Sequence, residues 1–284
     1  MKILVTGANG YIGRHVVTVL LNRGCDVIAC DITTKDVDNR AKCMDFDLFN
    51  LPDGNVFELF GSPDVCLHMA WRNGFVHNAP THIDDLPAHL NFITRMIDGG
   101  LKQLAVMGTM HEIGYWEGAI DENTPCNPIS MYGIGKDALR KACSLYARPH
   151  DCILQWLRCY YILGDDKKSN SIFGKILKAE EDGKTKFPFT TGKNKYDFIN
   201  VDRLAELISC SVMQREVNGI INCCTGKPIS LAEQVESFIK DRGLSIRLDY
   251  GAFPDRPYDS PCVYGDTSKI NSILSAKSWA VRTY

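Results

Sequence analysis

Tyr132 and Lys136 bound the segment Tyr-Gly-Ile-Gly-Lys, and their i, i+4 spacing on a helix sets a phenol and an ammonium on one face. A free tyrosine titrates near ~10, so a phenol that moves protons near neutrality must be shifted, and a neighbouring ammonium favours the phenolate. Taken alone, the pair is also what a solvated helix face carries. A second group stands at the other end of the chain. Thr6-Gly7-Ala8-Asn9-Gly10-Tyr11-Ile12-Gly13 has the TGxxGxxG spacing, directly after an apolar strand-like run and directly before a helical pattern. There Gly7 permits a tight turn, Gly10 lets a pyrophosphate approach the backbone, and Gly13 lets the helix pack on the strand while its N-terminal amides face the anion. Further on, Asp31 ends the second apolar run, where a carboxylate accepts hydrogen bonds from the adenosine ribose. That favours NAD(H). Asp31 is by type also a loop cap, and Lys35 stands near enough to meet a 2′-phosphate, so NADP(H) stays open.

These groups need a scaffold that brings distant segments together. Apolar runs at Ile3–Thr6, Val27–Asp31, Val65–Ala70, Leu104–Gly108, Ile153–Arg158 and Ile220–Cys224 read as buried parallel strands. Helical periodicity separates most of them, at Tyr11–Arg23, Leu86–Ile97 and Met131–Tyr146. The alternation predicts an α/β fold with a doubly wound parallel sheet. Beyond about Leu163 a polar turn, a helix near Ser171–Glu181 and a Pro- and Lys-containing stretch mark a smaller C-terminal α/β lobe. The expected division gives residues 1–163 and about 197–225 to a dinucleotide domain, and 164–196 with 226–284 to a substrate lobe.

With 284 residues, 45% hydrophobic and 23% charged, the chain has the composition of a globular protein with a substantial core. A formal net charge of -2 leaves no general basic field for nucleic acid or an acidic membrane surface, so the expected partner is a small molecule. Twelve cysteines are scattered without a CxxC pair, which reads as buried thiols in a reducing cytoplasm, and no metal site is predicted. The short apolar run after Met1-Lys2 is too brief for a signal peptide or a membrane span, so the cytoplasm is the expected location.

Together these motifs resemble the extended short-chain dehydrogenase/reductases of the NAD-dependent epimerase/dehydratase family, in the nucleotide-sugar branch, along nearly the whole chain. The resemblance implies a Rossmann domain binding NAD(H) or NADP(H) and a catalytic set of Thr109, Tyr132 and Lys136, with Gly114 at the family spacing. For the cofactor it implies Gly7, Asn9, Gly10, Tyr11, Ile12, Gly13, Asp31 and Ile32, an Asp47-Leu48 pair at the adenine, and Met69-Ala70-Trp71 under the nicotinamide ribose beside Tyr132 and Lys136. His68-Met69-Ala70-Trp71 matches the family's HxAA segment, with Trp71 a departure. For the nucleotide sugar it implies Arg72, His111, Lys195, Arg256 and Asp259. Asp197 through Asp202 resembles the RDFIxVxD element, with Tyr196 in place of its Arg and Lys195 the substitute for that contact. The two helices at Leu86–Ile97 and Met131–Tyr146 resemble those that pair in the family's homodimers.

The family's dehydratases carry Asp-Glu after the Thr for proton transfer. Here Met110 and His111 stand there, and a thioether transfers no proton. His111 is a candidate sugar contact and also a plain structural histidine. The segments around Trp71-Arg72 and Gly108 to Gly114 resemble a branch acting on dTDP-4-keto-6-deoxyhexoses, and the bulk of Trp71 predicts a narrowed sugar pocket that hinders turnover of a keto intermediate. The expectation is therefore NAD(P)H-dependent reduction of the 4-keto group of a dTDP-linked 6-deoxyhexose in surface polysaccharide biosynthesis. The alternatives are a nucleotide-sugar 4-epimerase and a non-catalytic NAD(P)-sensing protein.

Overall fold

The computed structural model describes residues 1–164, 171–255 and 259–276. The described strands are β1 (Lys2–Thr6), β2 (Asp26–Asp31), β3 (Lys42–Asp45), β4 (Val65–His68), β5 (Gln103–Thr109), β6 (Gly118–Ile120) and β7 (Ile153–Cys159). They continue with β8 (Tyr161–Leu163), β9 (Lys186–Pro188), β10 (Lys195–Asn200), β11 (Gly219–Cys223), β12 (Pro228–Ser230), β13 (Arg247–Asp249) and β14 (Cys262–Gly265). Between them run α1 (Tyr11–Asn22), α2 (Val56–Leu59), α3 (Thr81–Asp84), α4 (Leu86–Asp98) and α5 (Met131–Ala147). Later come α6 (Ile172–Glu181), α7 (Val201–Val212), α8 (Leu231–Asp241) and α9 (Ser268–Ser275).

Seven parallel strands form the first sheet in the order β11-β7-β5-β4-β1-β2-β3. The chain starts in the middle, winds outward to β3, and returns to β4 on the other side of β1, which is the doubly wound arrangement. Side-chain alternation on β1 shows why both faces are covered. Ile3 and Val5 join Val16, Val17 and Leu20 of α1 and Leu204 and Ile208 of α7 on one face. Leu4 joins Phe60, Phe92, Met96 and Trp156 on the other. A fully buried side chain of this size contributes roughly 1.5–3 kcal/mol, so two such layers fix the sheet between its helices.

The gap between β1 and β4 is the topological switch point, where ligands of such sheets bind. Thr6 pairs with His68 across it, so the glycine turn after β1 and the segment after β4 emerge side by side. One edge strand escaped the sequence reading. β3 is four residues long and three of them are exposed, so it lacks the apolar run that marked the buried strands.

The second sheet has the order β12-β10-β14-β6, with β8 beside β10. Its core holds Ile113, Tyr160, Phe173, Ile176, Phe198, Val235 and Val263. β6, β8 and β10 hydrogen-bond in the second sheet, while α7 and β11 pack with the first. All twelve cysteines are free thiols and nine are buried. Among the described residues no helix is long and apolar enough to cross a membrane, and no group of three His, Cys, Asp or Glu is arranged to hold a metal.

Candidate active site

Thr109 is the last residue of β5, and its conformation is fixed by a carboxylate three residues on. The Thr109 amide donates to Glu112 Oε1 at 2.7 Å, and the Thr109 hydroxyl accepts from the His111 amide at 3.3 Å, a capping box closed on a single 3-10 turn. Glu112 is fully buried. The same carboxylate accepts from Trp156 Nε1 at 2.8 Å and from the fully buried Arg158 at 3.3 Å, with Arg140 at 3.6 Å. Two guanidiniums thus compensate a charge that could not otherwise be kept in the core.

Tyr132 and Lys136 come from the first turns of α5, capped by Ser130 accepting from the Gly133 amide. The two glycines between them look like poor helix residues, costing roughly 1 kcal/mol each against alanine. Their use is steric. A Cβ on Gly133 would lie 2.3 Å from the His111 carbonyl oxygen, and one on Gly135 would lie 2.4 Å from that of His82. Only a helix bare at both positions can press onto these two segments, and that contact carries Tyr132 to Thr109. Burial pushes the Tyr132 phenol above its ordinary range, the neighbouring Thr109 hydroxyl opposing, so it rests as the neutral acid. Lys136 is 3% exposed and donates to the Met107 carbonyl at 2.8 Å. Burial draws its ammonium down to about 7, with Glu112 opposing.

The glycine turn lies beside this set. Gly7 has φ +69°, and a Cβ there would meet the Ala70 amide nitrogen at 2.6 Å, so glycine is required by conformation and by space. Gly10 caps α1 with no side-chain hydrogen bond, and the first turn carries no acidic residue, which leaves the helix's N-terminal amides to an anion. The Asp31 carboxylate takes the Asn9 amide at 2.9 Å and the Ile32 amide at 2.8 Å, which fixes it against the glycine turn. Tyr11 lies against Gly164, where a Cβ would sit 1.3 Å from the Tyr11 hydroxyl. Leu48 is buried, and Asp47 accepts from Asn50 at 2.6 Å and from the Phe49 amide at 3.0 Å. A cradle of bare glycine backbone, free helix amides and a fixed carboxylate fits an adenine dinucleotide. When bound, it would place a nicotinamide near Tyr132 and Lys136 and supply the redox chemistry.

A histidine pair stiffens this side. Thr6 Oγ1 accepts from the Met69 amide at 3.2 Å and lies 2.8 Å from His68 Nδ1, while His68 Nε2 lies 2.9 Å from His89 Nδ1. With the Thr6 oxygen already accepting from the Met69 amide and from the Ala70 amide at 3.4 Å, its proton goes to His68, and His68 in turn donates to His89. Both rings are neutral: burial drives His68 well below its usual range and His89 down to about 3. Trp71 stacks on His89 at 4.7 Å between centroids and donates to His82 Nδ1 at 3.0 Å.

On the opposite side stand His111 of the turn after β5, His77 of the segment before α3, and Tyr161 and Tyr196 of the second sheet. His111 lies 5.9 Å from Tyr132, 4.5 Å from His77 and 6.4 Å from Tyr161, and burial with the neighbouring His77 draws it down to about 4. Tyr161 packs on Tyr196 at 4.4 Å. Asp259 is close enough to reinforce burial and Tyr196 in raising the Tyr161 phenol.

Of the expected sugar contacts, His111 and Asp259 therefore gather at this wall. Arg72 does not. It is bonded to Asp85, with Nε donating at 2.8 Å, and its guanidinium lies 5.3 Å from the Phe49 ring, so the attraction of Asp85 holds it on the cofactor side. Lys195 is exposed at the start of β10, and Arg256 lies outside the described residues. Trp71 also differs from expectation: its indole meets His82, His89 and Lys136, which ties its bulk to the cofactor side rather than to the sugar. A cleft of about 610 Å³ between Trp116, Asp121, Asn222 and Lys269 contains none of the Thr109, Tyr132 and Lys136 set.

Sequence reasoning missed Glu112, the His68–His89 pair and the role of Asp197. Glu112 had a signal, the Thr-x-x-Glu spacing of a capping box. Asp197 is fully buried and accepts from the Thr225 amide at 2.9 Å, the Gly226 amide at 2.8 Å and the Gly265 amide at 3.2 Å, so it ties β10 to β14 and to the loop after β11.

A model of the NAD dependent epimerase/dehydratase family matches residues 3–224. A dTDP-6-deoxy-L-talose 4-dehydrogenase (NAD(+)) of Aggregatibacter actinomycetemcomitans is 44% identical over 269 residues, spanning 93% of this chain and 99% of the relative. A UDP-glucose 4-epimerase of Lactobacillus helveticus is 25% identical, spanning 98% of this chain and 92% of the relative. Among solved structures, a UDP-N-acetylglucosamine 4-epimerase from Methanobrevibacter ruminantium M1 superposes with a TM-score of 0.83 at 20% identity, covering 96% of this chain and 91% of that one. The dTDP-glucose 4,6-dehydratase DesIV from Streptomyces venezuelae, with NAD and TYD bound, gives 0.80 at 19% identity, covering 96% and 90%.

Proposed function

The chain belongs to the NAD dependent epimerase/dehydratase family, and from that premise we propose that it is an NAD(H)-dependent oxidoreductase acting at C4 of a dTDP-linked 6-deoxyhexose. The physiological reaction proposed is reduction of a 4-keto sugar on the route to a surface polysaccharide. One observation carries the reading: Thr109, Tyr132 and Lys136 stand together beside the glycine turn in a chain 44% identical to a 4-dehydrogenase of such a sugar.

Bound NADH supplies the hydride. The ketone oxygen accepts hydrogen bonds from Thr109 and Tyr132, which polarise the carbonyl, and Tyr132 delivers its proton to that oxygen as the C4 carbon is reduced. The resting neutral phenol is the form from which this transfer starts. The negative charge left on the phenolate is balanced by the Lys136 ammonium. In the opposite direction the same groups remove the proton of a C4 hydroxyl.

NAD(H) over NADP(H) is supported by the Asp31 carboxylate, whose charge disfavours a 2′-phosphate. The proposed site comprises Gly7, Asn9, Gly10, Tyr11, Ile12, Gly13, Asp31, Ile32, Asp47, Leu48 and Met69 through Trp71 for the cofactor, with His111, Lys195, Arg256 and Asp259 on the sugar side. The first lobe, residues 1–163 with about 197–225, holds the dinucleotide, and the remainder holds the nucleotide sugar. A homodimer through α4 and α5 is supported by exposed Met131, Ile134 and Leu145 on α5. Twelve free thiols support a cytoplasmic setting.

The test is to incubate the protein with a dTDP-4-keto-6-deoxyhexose and NADH or NADPH, follow cofactor oxidation and identify the sugar formed. Stoichiometric oxidation with a 4-hydroxy product supports the proposal. Interconversion of two sugars without net oxidation supports the 4-epimerase reading, which the relatives near 25% identity favour. Tight dinucleotide binding without turnover of any sugar overturns both.

A further inference from the structure

Lys136 is a buried cation that forms no ion pair among the described residues. An ammonium has three N–H groups, and one of these donates to the Met107 carbonyl at 2.8 Å. The ammonium also lies over the Trp71 ring, 3.9 Å from its centroid, well inside the range of a cation–π contact. The indole is itself held in place: its Nε1 donates to His82 Nδ1 at 3.0 Å, His82 Nε2 bonds the Val76 carbonyl at 2.9 Å, and the His89 ring stacks against it at 4.7 Å and 12°. His82 and His89 are both 1% exposed. A hydrogen bond along one edge and a stacked ring leave the indole little freedom, so its electron-rich face is presented at a set position.

We propose that Trp71 is a positioning residue of the reaction centre, its fixed indole face holding the Lys136 ammonium in place and keeping it charged for Tyr132. This rests on the reading of Tyr132 and Lys136 as the proton-transfer pair. The groups around the ammonium make such help necessary. Cys143 faces it from α5 and Cys159 from β7, while Glu112 lies beyond ion-pair reach in the turn after β5, and the Trp71 ring that meets the ammonium also lies 6.3 Å from the Tyr132 ring. His68 from β4 and His89 from α4 are both neutral. The indole thus does the work of a counter-ion without bringing a negative charge next to the phenol. A carboxylate in the same place would stabilise Lys136 but repel the developing phenolate.

The experiment compares Trp71→Phe and Trp71→Leu with the wild type in NAD+-dependent oxidation of dTDP-6-deoxy-L-talose, following kcat against pH. Loss of the π face lowers the affinity of Lys136 for its proton. The alkaline limb should therefore move to lower pH by roughly one unit in Trp71→Leu, with kcat near the alkaline limb falling about tenfold. Trp71→Phe keeps a face without the His82 bond, and should move the limb by less than half as much. Unchanged limbs in both variants overturn the proposal. Thermal melting supplies a second readout that needs no turnover. Trp71→Leu should lower Tm more in the wild type than in a Lys136→Met background, and equal losses would mean that Trp71 is core packing alone. Wild-type activity in Tyr132→Phe and Lys136→Met would instead remove the underlying assignment of the pair.

Discussion

The two sides of Tyr132 are built by different means. Toward the cofactor, side chains are joined by directional bonds: Thr6 to His68 to His89, and Trp71 to His82 to the Val76 carbonyl. Toward the second sheet, His111, Tyr161, Tyr196 and Phe198 meet as rings packed at 4.4 to 6.4 Å between centroids. Directional bonds fix position and angle, whereas packed rings fix volume. The first construction suits a ligand whose reactive carbon must meet the phenol at one geometry, and the second suits a sugar whose substituents vary among relatives.

The contrast is tested most severely at the point where the two sides meet. Tyr132→Phe keeps the ring packing and removes the proton donor, so kcat should fall by roughly 10²–10⁴-fold while NAD+ affinity by fluorescence titration stays within about twofold. Loss of cofactor binding in parallel would mean that the two sides are not separable. The next largest effect is expected under Thr109. Glu112→Gln keeps an acceptor for the Thr109 amide but leaves Arg158 buried without its charge partner, and should cost about 3–5 kcal/mol in urea unfolding. A loss below about 1 kcal/mol would show that Arg140 and Arg158 do not depend on this carboxylate.

The second side has its own anchor in Asp197. Asp197→Asn replaces an ionised acceptor of several amides by a neutral one, and should cost about 2–3 kcal/mol. Hydrogen exchange should rise in β10, β14 and the loop after β11, with β1 and β4 unaffected. Spread of exchange into the first sheet would erase the distinction between the sides.

The smallest effect is the pH dependence that His89 contributes on the cofactor side. His89 sits at about 3 in the folded chain against an ordinary 6.5, so between those values the unfolded chain binds more protons. Stability is therefore fully present above about pH 6.5 and falls as pH drops, by at most ~1.4 kcal/mol per pH unit for this ring, down to about pH 3. Urea midpoints measured between pH 7.5 and 5 should follow that slope, and His89→Leu should flatten it. An unaltered slope in that variant would assign the dependence to other groups, His68 and His111 first.

The same contrast explains what was legible in the sequence. The glycine turn is contiguous, each of its residues has a local reason, and Asp31 follows at the end of the next strand. The Tyr132 and Lys136 pair was legible for the same reason, although the glycines between them could be understood only once His82 and His111 were in view. His89 was not legible as a member of this buried network. Its partner His68 lies 21 residues away and Thr6 a further 62; the β1–β4 register brings Thr6 to His68, and the packing of α4, with His89 and Phe92 against the His68 ring, completes the set. Arg72 follows directly after Trp71, yet its direction was decided by Asp85, thirteen residues on, which no local pattern specifies. In the second lobe, strands of three to six residues drawn from both sides of the presumed boundary left too little periodicity to assign β6, β8 and β10 to their sheet.

The Glu112 carboxylate described beneath Thr109 has a consequence for how the protein can change over evolutionary time. It joins Thr109, a member of the proposed catalytic set, to the Trp156 indole and the buried Arg158 guanidinium, so none of Glu112, Trp156 and Arg158 can be exchanged singly without stranding another, whereas Arg140 is also held by Asp137 at 2.6 Å. Glu112, Trp156 and Arg158 should therefore drift as one unit, retained together or replaced together. In a selection from a library randomised at these positions, survivors should be rich in whole-set replacements and poor in single ones.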